Sequence, residues 1–158
     1  MKIKGASVDA RYIETVVVPR GDTDYIFKAR PLTAEDDTFF EELCPKPVPP
    51  KFTIPGGKTE EDSTNVQFVK ARKAWSDLRS EYLFFRSLDA SPDLEWDTVS
   101  ENEPASWGKI EDELLAAGFL SPEIILIFNA VIAANGLDTS KIEKATKSFL
   151  ATQEQEQD

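Results

Sequence analysis

Residues 44–57 read "CPKPVPPKFTIPGG", and no other stretch limits the folding of this 158-residue chain so strongly. Pro45, Pro47, Pro49, Pro50 and Pro55 carry half of its ten prolines. Each lacks the N–H that a helix interior or a central strand requires, and each pushes the residue before it out of helical geometry. A helix arriving from the N-terminal side must therefore stop near Cys44. The next apolar periodicity begins only at Asn65, after the polar run "KTEEDST". Residues 45–64 are expected to be an exposed, semi-rigid linker. Pro47 and Pro50 also have the Pro-x-x-Pro spacing that proline-reading domains accept in polyproline II form. The spacer reading is preferred. Phe52 and Ile54, the large apolar residues that follow, either pack back on the body or meet a partner.

Before the break, "YIETVVV" (12–18) and "YIFKARPL" (25–32) flank "PRGDTD". Two β-branched and aromatic runs around a Pro/Gly/Asp cluster predict a hairpin. Arg20-Gly21-Asp22 also spells an adhesion tripeptide, but its place in the turn explains it. Thr33 then opens "TAEDDTFFEELC" as a helix N-cap, with Asp36 at the third position of a capping box and acids in the first turn. Phe39, Phe40 and Leu43 form the predicted inner face.

After the break, residues 65–88 hold the longest helix. Phe68, Ala71, Trp75, Leu78, Tyr82 and Phe85 recur in alternating steps of three and four, an apolar stripe. Residues 89–113 carry nine acids and one base, Lys109, together with Trp96 and Trp107. Aromatics of that size need burial, so this is not a flexible tail. Pro104 fits the first turn of a helix running to about Ala117, with Trp107, Ile110, Leu114 and either Ala117 or Leu115 inward and Gly118 as its stop. Ser121 and Pro122 start a further helix as N-cap and first residue. A last helix begins near Asp138, with Ile142, Ala145 and Phe149 inward. Residues 151–158 read as a polar tail. The expected architecture is α+β and mainly helical. An N-terminal hairpin (1–32) packs on four to five helices within one domain, residues 1–150, made of that hairpin, a helix at 33–44, the linker 45–64 and a helical part at 65–150.

The helix after Pro122 is apolar on nearly every side. On a wheel Ile124, Ile125, Phe128, Val131 and Ile132 share one broad face, Ile127 lies at its edge, and Leu126 points almost the opposite way beside Ala133. Such a helix is either central or covered by a partner. Its apolar residues, with Phe52 and Ile54, are the candidate partner-binding residues.

Candidate chemistry is sparse. The chain has no His, which removes the usual general base and the commonest transition-metal ligand. One Cys makes no intrachain disulfide, and no His is present to activate it. At a helix C-terminus Cys44 reads as a small buried cap. No phosphate loop, dinucleotide fingerprint or nucleophile elbow occurs. The acids at 36, 37, 41 and 42 and at 111–113 lack calcium-loop order and read as solvated faces. No catalytic, metal or cofactor residue is assigned. The net charge of −11 opposes direct nucleic-acid binding. No apolar run suits a membrane helix or, in "MKIKGASVDARY", a signal peptide, so a cytosolic chain is expected.

Several blocks occur in one order: "ETVVVPRGD", "FFEELCPKPVPP", the long aromatic helix, "SLDASPDLEWDTV", "EPASWGKIEDELLAAGFLSPEI" and "NGLDTSKIEKATKSFL". Over roughly residues 1–150 the chain resembles tail assembly chaperones of long-tailed bacteriophages. The resemblance implies a non-enzymatic protein of the infected host's cytoplasm, absent from the mature virion. Its implied partner is the tape measure protein, which it would keep soluble, with the tail-tube protein as a second partner. It leaves room for a homo-oligomer and supplies no catalytic residue. The alternatives are a structural tail or adaptor protein retained in the virion, and an acidic inhibitor or DNA mimic acting on a host protein.

Overall fold

In the computed structural model, residues 2–3, 6–7 and 12–155 are described, with side chains from 12 to 148. The fold is α+β and mainly helical. Two short strands, β1 (Lys2–Ile3) and β2 (Ala6–Ser7), pair antiparallel. The main hairpin follows as β3 (Glu14–Arg20) and β4 (Thr23–Ala29). Its strands run through Pro19 and Arg20, so the turn is only Gly21 and Asp22, with Arg20 opposite Thr23. Gly21 takes φ 57°, the left-handed conformation that a two-residue hairpin loop demands at no steric cost to glycine.

Helix α1 spans Ala34–Leu43. Its capping box is formed: Asp36 N donates to Thr33 Oγ1 at 3.3 Å, and Thr33 N donates to Asp36 Oδ2 at 2.8 Å. Phe40 is buried, whereas Leu43 lies at the exposed edge of the predicted inner face. The helix ends at Cys44, as Pro45 requires, and burial pushes the Cys44 thiol up from its ordinary pKa. The predicted linker contains structure of its own. Strands β5 (Lys51–Thr53) and β6 (Thr59–Glu61) pair antiparallel around Pro55-Gly56-Gly57. Pro47, Val48 and Pro50 lie in a groove against Phe68 and Ala71.

Helix α2 (Val66–Leu88) starts from Asn65, whose side chain accepts from the N–H groups of Gln67 and Phe68. The stripe read from sequence splits in two. Tyr82, Phe85 and Leu88 are buried and Trp75 and Leu78 are half-buried, but the N-terminal half passes beyond the core and Ala71 is exposed. A 3-10 helix, Pro104–Lys109, leads into α3 (Ile110–Ala116). Trp107 is almost fully buried, its ring 4.9 Å from Tyr82 and 6.0 Å from Phe40, and its Nε1 donates to Ser100 O. Leu115 is exposed, which settles the inner face as Trp107, Ile110 and Leu114.

Helix α4 (Ser121–Ala134) begins one residue earlier than the Ser121 cap predicts. Leu120 is the capping position, and Glu123 reaches back to accept its N–H at 2.8 Å. Helix α5 (Ser140–Gln155) closes the described chain. Its predicted inward face is overturned. Ile142 is 62% exposed, Ala145 is exposed, and the side chain of Phe149 lies outside the described residues.

Candidate functional site

The hairpin lies on α4 and reads its whole length in the antiparallel sense. At one end Arg20 Nη1 donates to Glu123 Oε1 at 2.6 Å, its Nη2 bonds the other oxygen, and its guanidinium lies 5.6 Å from the Phe119 ring. The bond from Arg20, followed by the Leu120 N–H, pulls the Glu123 carboxyl down to about 2. At the other end Tyr12 reaches the last turn of α4. There Lys141 of α5 donates to Tyr12 Oη at 3.0 Å and forms an ion pair with Glu14. Those two bonds hold the Lys141 ammonium protonated well above its ordinary range.

This anchorage fixes the start of α5 and leaves its apolar side standing off the body. The result is a cleft of about 390 Å³ between the end of α4 and the start of α5. Its floor is Ala133 and Ala134, its walls are Tyr12, Ile142 and Ala145, and its rim carries Asp138 and Lys141. Leu126 precedes Ala133 by two helical turns and so continues the same side of α4. It is 56% exposed, and Leu137, just past the helix end, is also exposed. Apolar walls with a charged rim suit the apolar side chains of an amphipathic helix or strand.

The seven α4 candidates divide sharply. Ile124, Ile127 and Val131 are fully packed in the core with Ala134, a face set by steps of three and four. Phe128 is half-buried with its ring 4.5 Å from Phe84 of α2, and Ile132 is also half-buried. Ile125 is 58% exposed and joins Leu126 on the outer side. The wheel reading is therefore corrected at two places: Ile127 is the centre of the buried face, not its edge, and Ile125 leaves that face. Packing decides this, because β3 lies along one flank of α4 while α2 takes the other through Phe84. Phe52 and Ile54 are brought together on the β5–β6 hairpin, apart from α4. Phe52 is exposed, and Ile54 is half-buried with its N–H bonded to Lys58 O at 2.9 Å.

Sequence reasoning missed Tyr12, Ile142 and Ala145 as one lining. A usable signal was present, since the connection "NGLD" is short and polar and binds α5 close to the end of α4 without any large apolar residue beyond Leu137 to seat it.

The charged clusters elsewhere are structural. Asp36 is almost fully buried and accepts from Arg30 Nη1 at 2.7 Å, Arg30 Nη2 at 3.1 Å, Arg86 Nε at 2.6 Å and the Thr33 hydroxyl at 3.0 Å. Burial opposes its ionisation, but the Arg30, Arg86 and Thr33 bonds outweigh it and hold the carboxyl well below the usual range. Tyr82 Oη donates to Asp36 O at 2.9 Å, and burial pushes that phenol up to about 12. A second cleft of about 370 Å³ is lined by Leu32, Asp37, Arg79, Leu83 and Asn135. Its Arg79 guanidinium lies over the Phe40 ring at 5.1 Å and is paired with Asp37, so its charge is already engaged. Among the described residues no group of three or more His, Cys, Asp or Glu is placed to hold a metal ion, and no helix is long and apolar enough to cross a membrane.

Comparison with protein-family models, with curated proteins and with solved structures yields no match to this chain.

Proposed function

We propose that this chain is a non-enzymatic escort of the tail assembly chaperone type, acting in the cytoplasm of a phage-infected bacterium. Its client is the tape measure protein, which is long, helical and prone to aggregate, and the tail-tube protein is a second partner. The observation that carries this reading is the open apolar cleft between α4 and α5, continued along α4 by Leu126. A helical client lays one apolar stripe into such a groove and keeps its polar side in water. The acidic exterior, net −11 over the chain, disperses the loaded complex by self-repulsion. Binding and release of this kind need no covalent chemistry.

Co-expression with a tape measure protein tests the reading, with wild type set beside a Leu126→Asp/Ile142→Asp double variant. Wild type should co-purify with the client and raise its soluble fraction, and the variant should do neither while keeping its own fold by circular dichroism. A client equally soluble with and without the wild-type chain would sink the proposal. One observation favours a second reading, a structural component retained in the virion. The solvent face of the main hairpin exposes Val17 and Ile26 as a cross-strand pair, a surface suited to burial between subunits. Mass spectrometry of purified particles separates the two, since a chaperone is absent and a structural subunit is stoichiometric.

A further inference from the structure

The outer edge of β4 is only partly covered. Arg20 faces Thr23 across the two-residue turn as a hydrogen-bonded pair, so Val18 with Tyr25 and Val16 with Phe27 are bonded pairs as well. The backbone N–H and C=O groups of Asp24, Ile26 and Lys28 therefore point away from β3. The chain that follows α2 covers the far end of this edge. Lys28 N donates to Ser91 Oγ at 2.9 Å, Ser91 Oγ donates to Lys28 O at 3.1 Å, and Arg30 N donates to Ser87 O at 3.0 Å. Cover stops at the next residue. Pro92 has no N–H to offer, and Asp93 takes φ 57°, the left-handed conformation that ends an extended run. A cleft of about 330 Å³ then lies between β4 and Pro92, Asp93 and Leu94. Among the described residues nothing bonds the outward backbone groups of Asp24 or Ile26.

Two residues about 7 Å apart, each with a free N–H and C=O, make a template for one more strand. The other edge of the hairpin offers less, because Pro19 stands opposite Asp24 and has no N–H. Side chains define the strand that fits. Tyr25 and Phe27 share the inner face with the Phe119 ring, 5.7 and 5.2 Å away, and Leu94 is half-buried in the cleft wall. Asp24 and Asp93 are exposed on the two sides of the cleft. Neither carboxylate has an ion-pair partner among the described residues.

We propose that the open edge of β4 at residues 24–26 takes up an extended segment of a partner protein as an added antiparallel strand, and that this segment alternates β-branched apolar residues with Lys or Arg. Its apolar residues lie on the inner face against Tyr25 and Leu94. Its cations lie on the outer face, opposite Asp24 and with their stems over Ile26. Backbone bonds supply the affinity, and charge selects the partner. This edge is separate from the α4–α5 cleft, so the failure of either site leaves the other standing.

The probe is a short capped peptide of alternating lysine and valine, titrated into the full chain while amide hydrogen exchange is read by NMR. In the free chain Asp24 and Ile26 amides should exchange fast, and Tyr25 and Phe27 amides slowly. At saturation the Asp24 and Ile26 amides should slow by about tenfold or more. N-methylation of the lysines, whose N–H groups face β4, should abolish binding, whereas N-methylation of the valines should leave it intact. Ile26→Pro removes one outward N–H without touching a bond to β3, and should weaken binding by about fivefold or more. The methylated peptides are read on the wild-type chain, so they decide the matter even where Ile26→Pro costs stability. Asp24→Lys should shift the preference to a valine–glutamate peptide. No protection up to about 1 mM peptide overturns the inference. So does binding blocked equally by both methylation patterns, which assigns it to charge or apolar contact alone. Asp24 and Ile26 amides that are already slow in the free chain and slow further with its concentration overturn it too, because a second copy then fills the edge.

Discussion

The Asp36 carboxylate ties together the start of α1, the end of β4 and the C-terminal half of α2, so replacing it with Asn tests whether this cluster holds the fold. Asn keeps the volume and can still accept at one oxygen, but it loses the charge and turns an amide N–H₂ toward Arg30 or Arg86. Three hydrogen bonds from arginine and two from Thr33 converge on the carboxylate. Hydrogen bonds to a charged group contribute roughly 1.5–3 kcal/mol each before the cost of burial, and removing one partner of a buried ion pair costs about 3–5 kcal/mol. Arg30 and Arg86 each keep about a quarter of their side-chain surface in water, so part of that cost is recovered by solvation. We expect Asp36→Asn to cost about 3 kcal/mol, a fall in Tm of roughly 6–12 °C for a chain of this length.

Urea unfolding followed by tryptophan fluorescence gives the free energy, since Trp107 and Trp75 both lie near the cluster. Its pH dependence supplies an independent check. The folded-state pKa of Asp36 is depressed, so its contribution is present above the ordinary value near 3.8 and is lost as pH falls below it. The gap between wild type and variant should be full at pH 7 and should shrink progressively below about pH 4. A variant within about 0.5 kcal/mol of wild type at pH 7, or a gap independent of pH, refutes the reasoning.

Three further outcomes follow from the same geometry. Ile127→Ala should cost about 2–4 kcal/mol by chemical denaturation, because the side chain is 0% exposed, whereas Ile125→Ala should stay within about 0.5 kcal/mol. In an NMR titration Glu123 should lose its charge near pH 2, and Arg20→Gln should move that midpoint up toward the ordinary 4.5. Because the folded value is the lower one, the Arg20–Glu123 pair contributes above pH 4.5 and its contribution fades as pH falls toward 2. Truncation after Asp138 should leave the urea midpoint nearly unchanged, since residues 140–148 of α5 are exposed throughout, while solubilisation of a helical client should be lost.

Local chemistry carried most of what the sequence disclosed. Pro45 ends α1 by steric exclusion, Thr33 and Asp36 cap it, and Asn65 starts α2. Each of those effects acts within about four residues and needs no knowledge of the tertiary fold. The main hairpin was legible for the same reason, although its strands reach further into "PRGDTD" than the turn residues imply, because pairing tolerates Pro19 within an open two-stranded ribbon. The β5–β6 hairpin was not legible. "KFT" and "TEE" are too short and too polar to alternate, and only Pro55-Gly56-Gly57 between them marks a turn. Tyr82 was placed in the core by its step in the α2 stripe, and Trp107 by its size and its inward position after Pro104, but the ion cluster was not, since Arg30 and Arg86 meet Asp36 only after three elements have packed.

The hardest failure lies in α4, and its cause is physical. Periodicity locates a buried face by contrast between apolar and polar positions. From Ile124 to Phe128 there is no contrast, so any face is as apolar as any other and only the neighbours can choose. β3 and α2 choose Ile124, Ile127, Val131 and Ala134, and the choice leaves Ile125 and Leu126 outside. A chain selected for folding alone has no reason to keep those two positions apolar, because polar residues there would cost nothing in the core and would improve solubility. The same holds for Ile142, which shares the cleft with Tyr12 and Ala133 yet stays 62% exposed. Where sequence and fold disagree about an apolar residue, the disagreement marks a surface that something other than this chain's own core is expected to bury. The candidate site is the place where Leu126 on α4 and Ile142 on α5 create that disagreement.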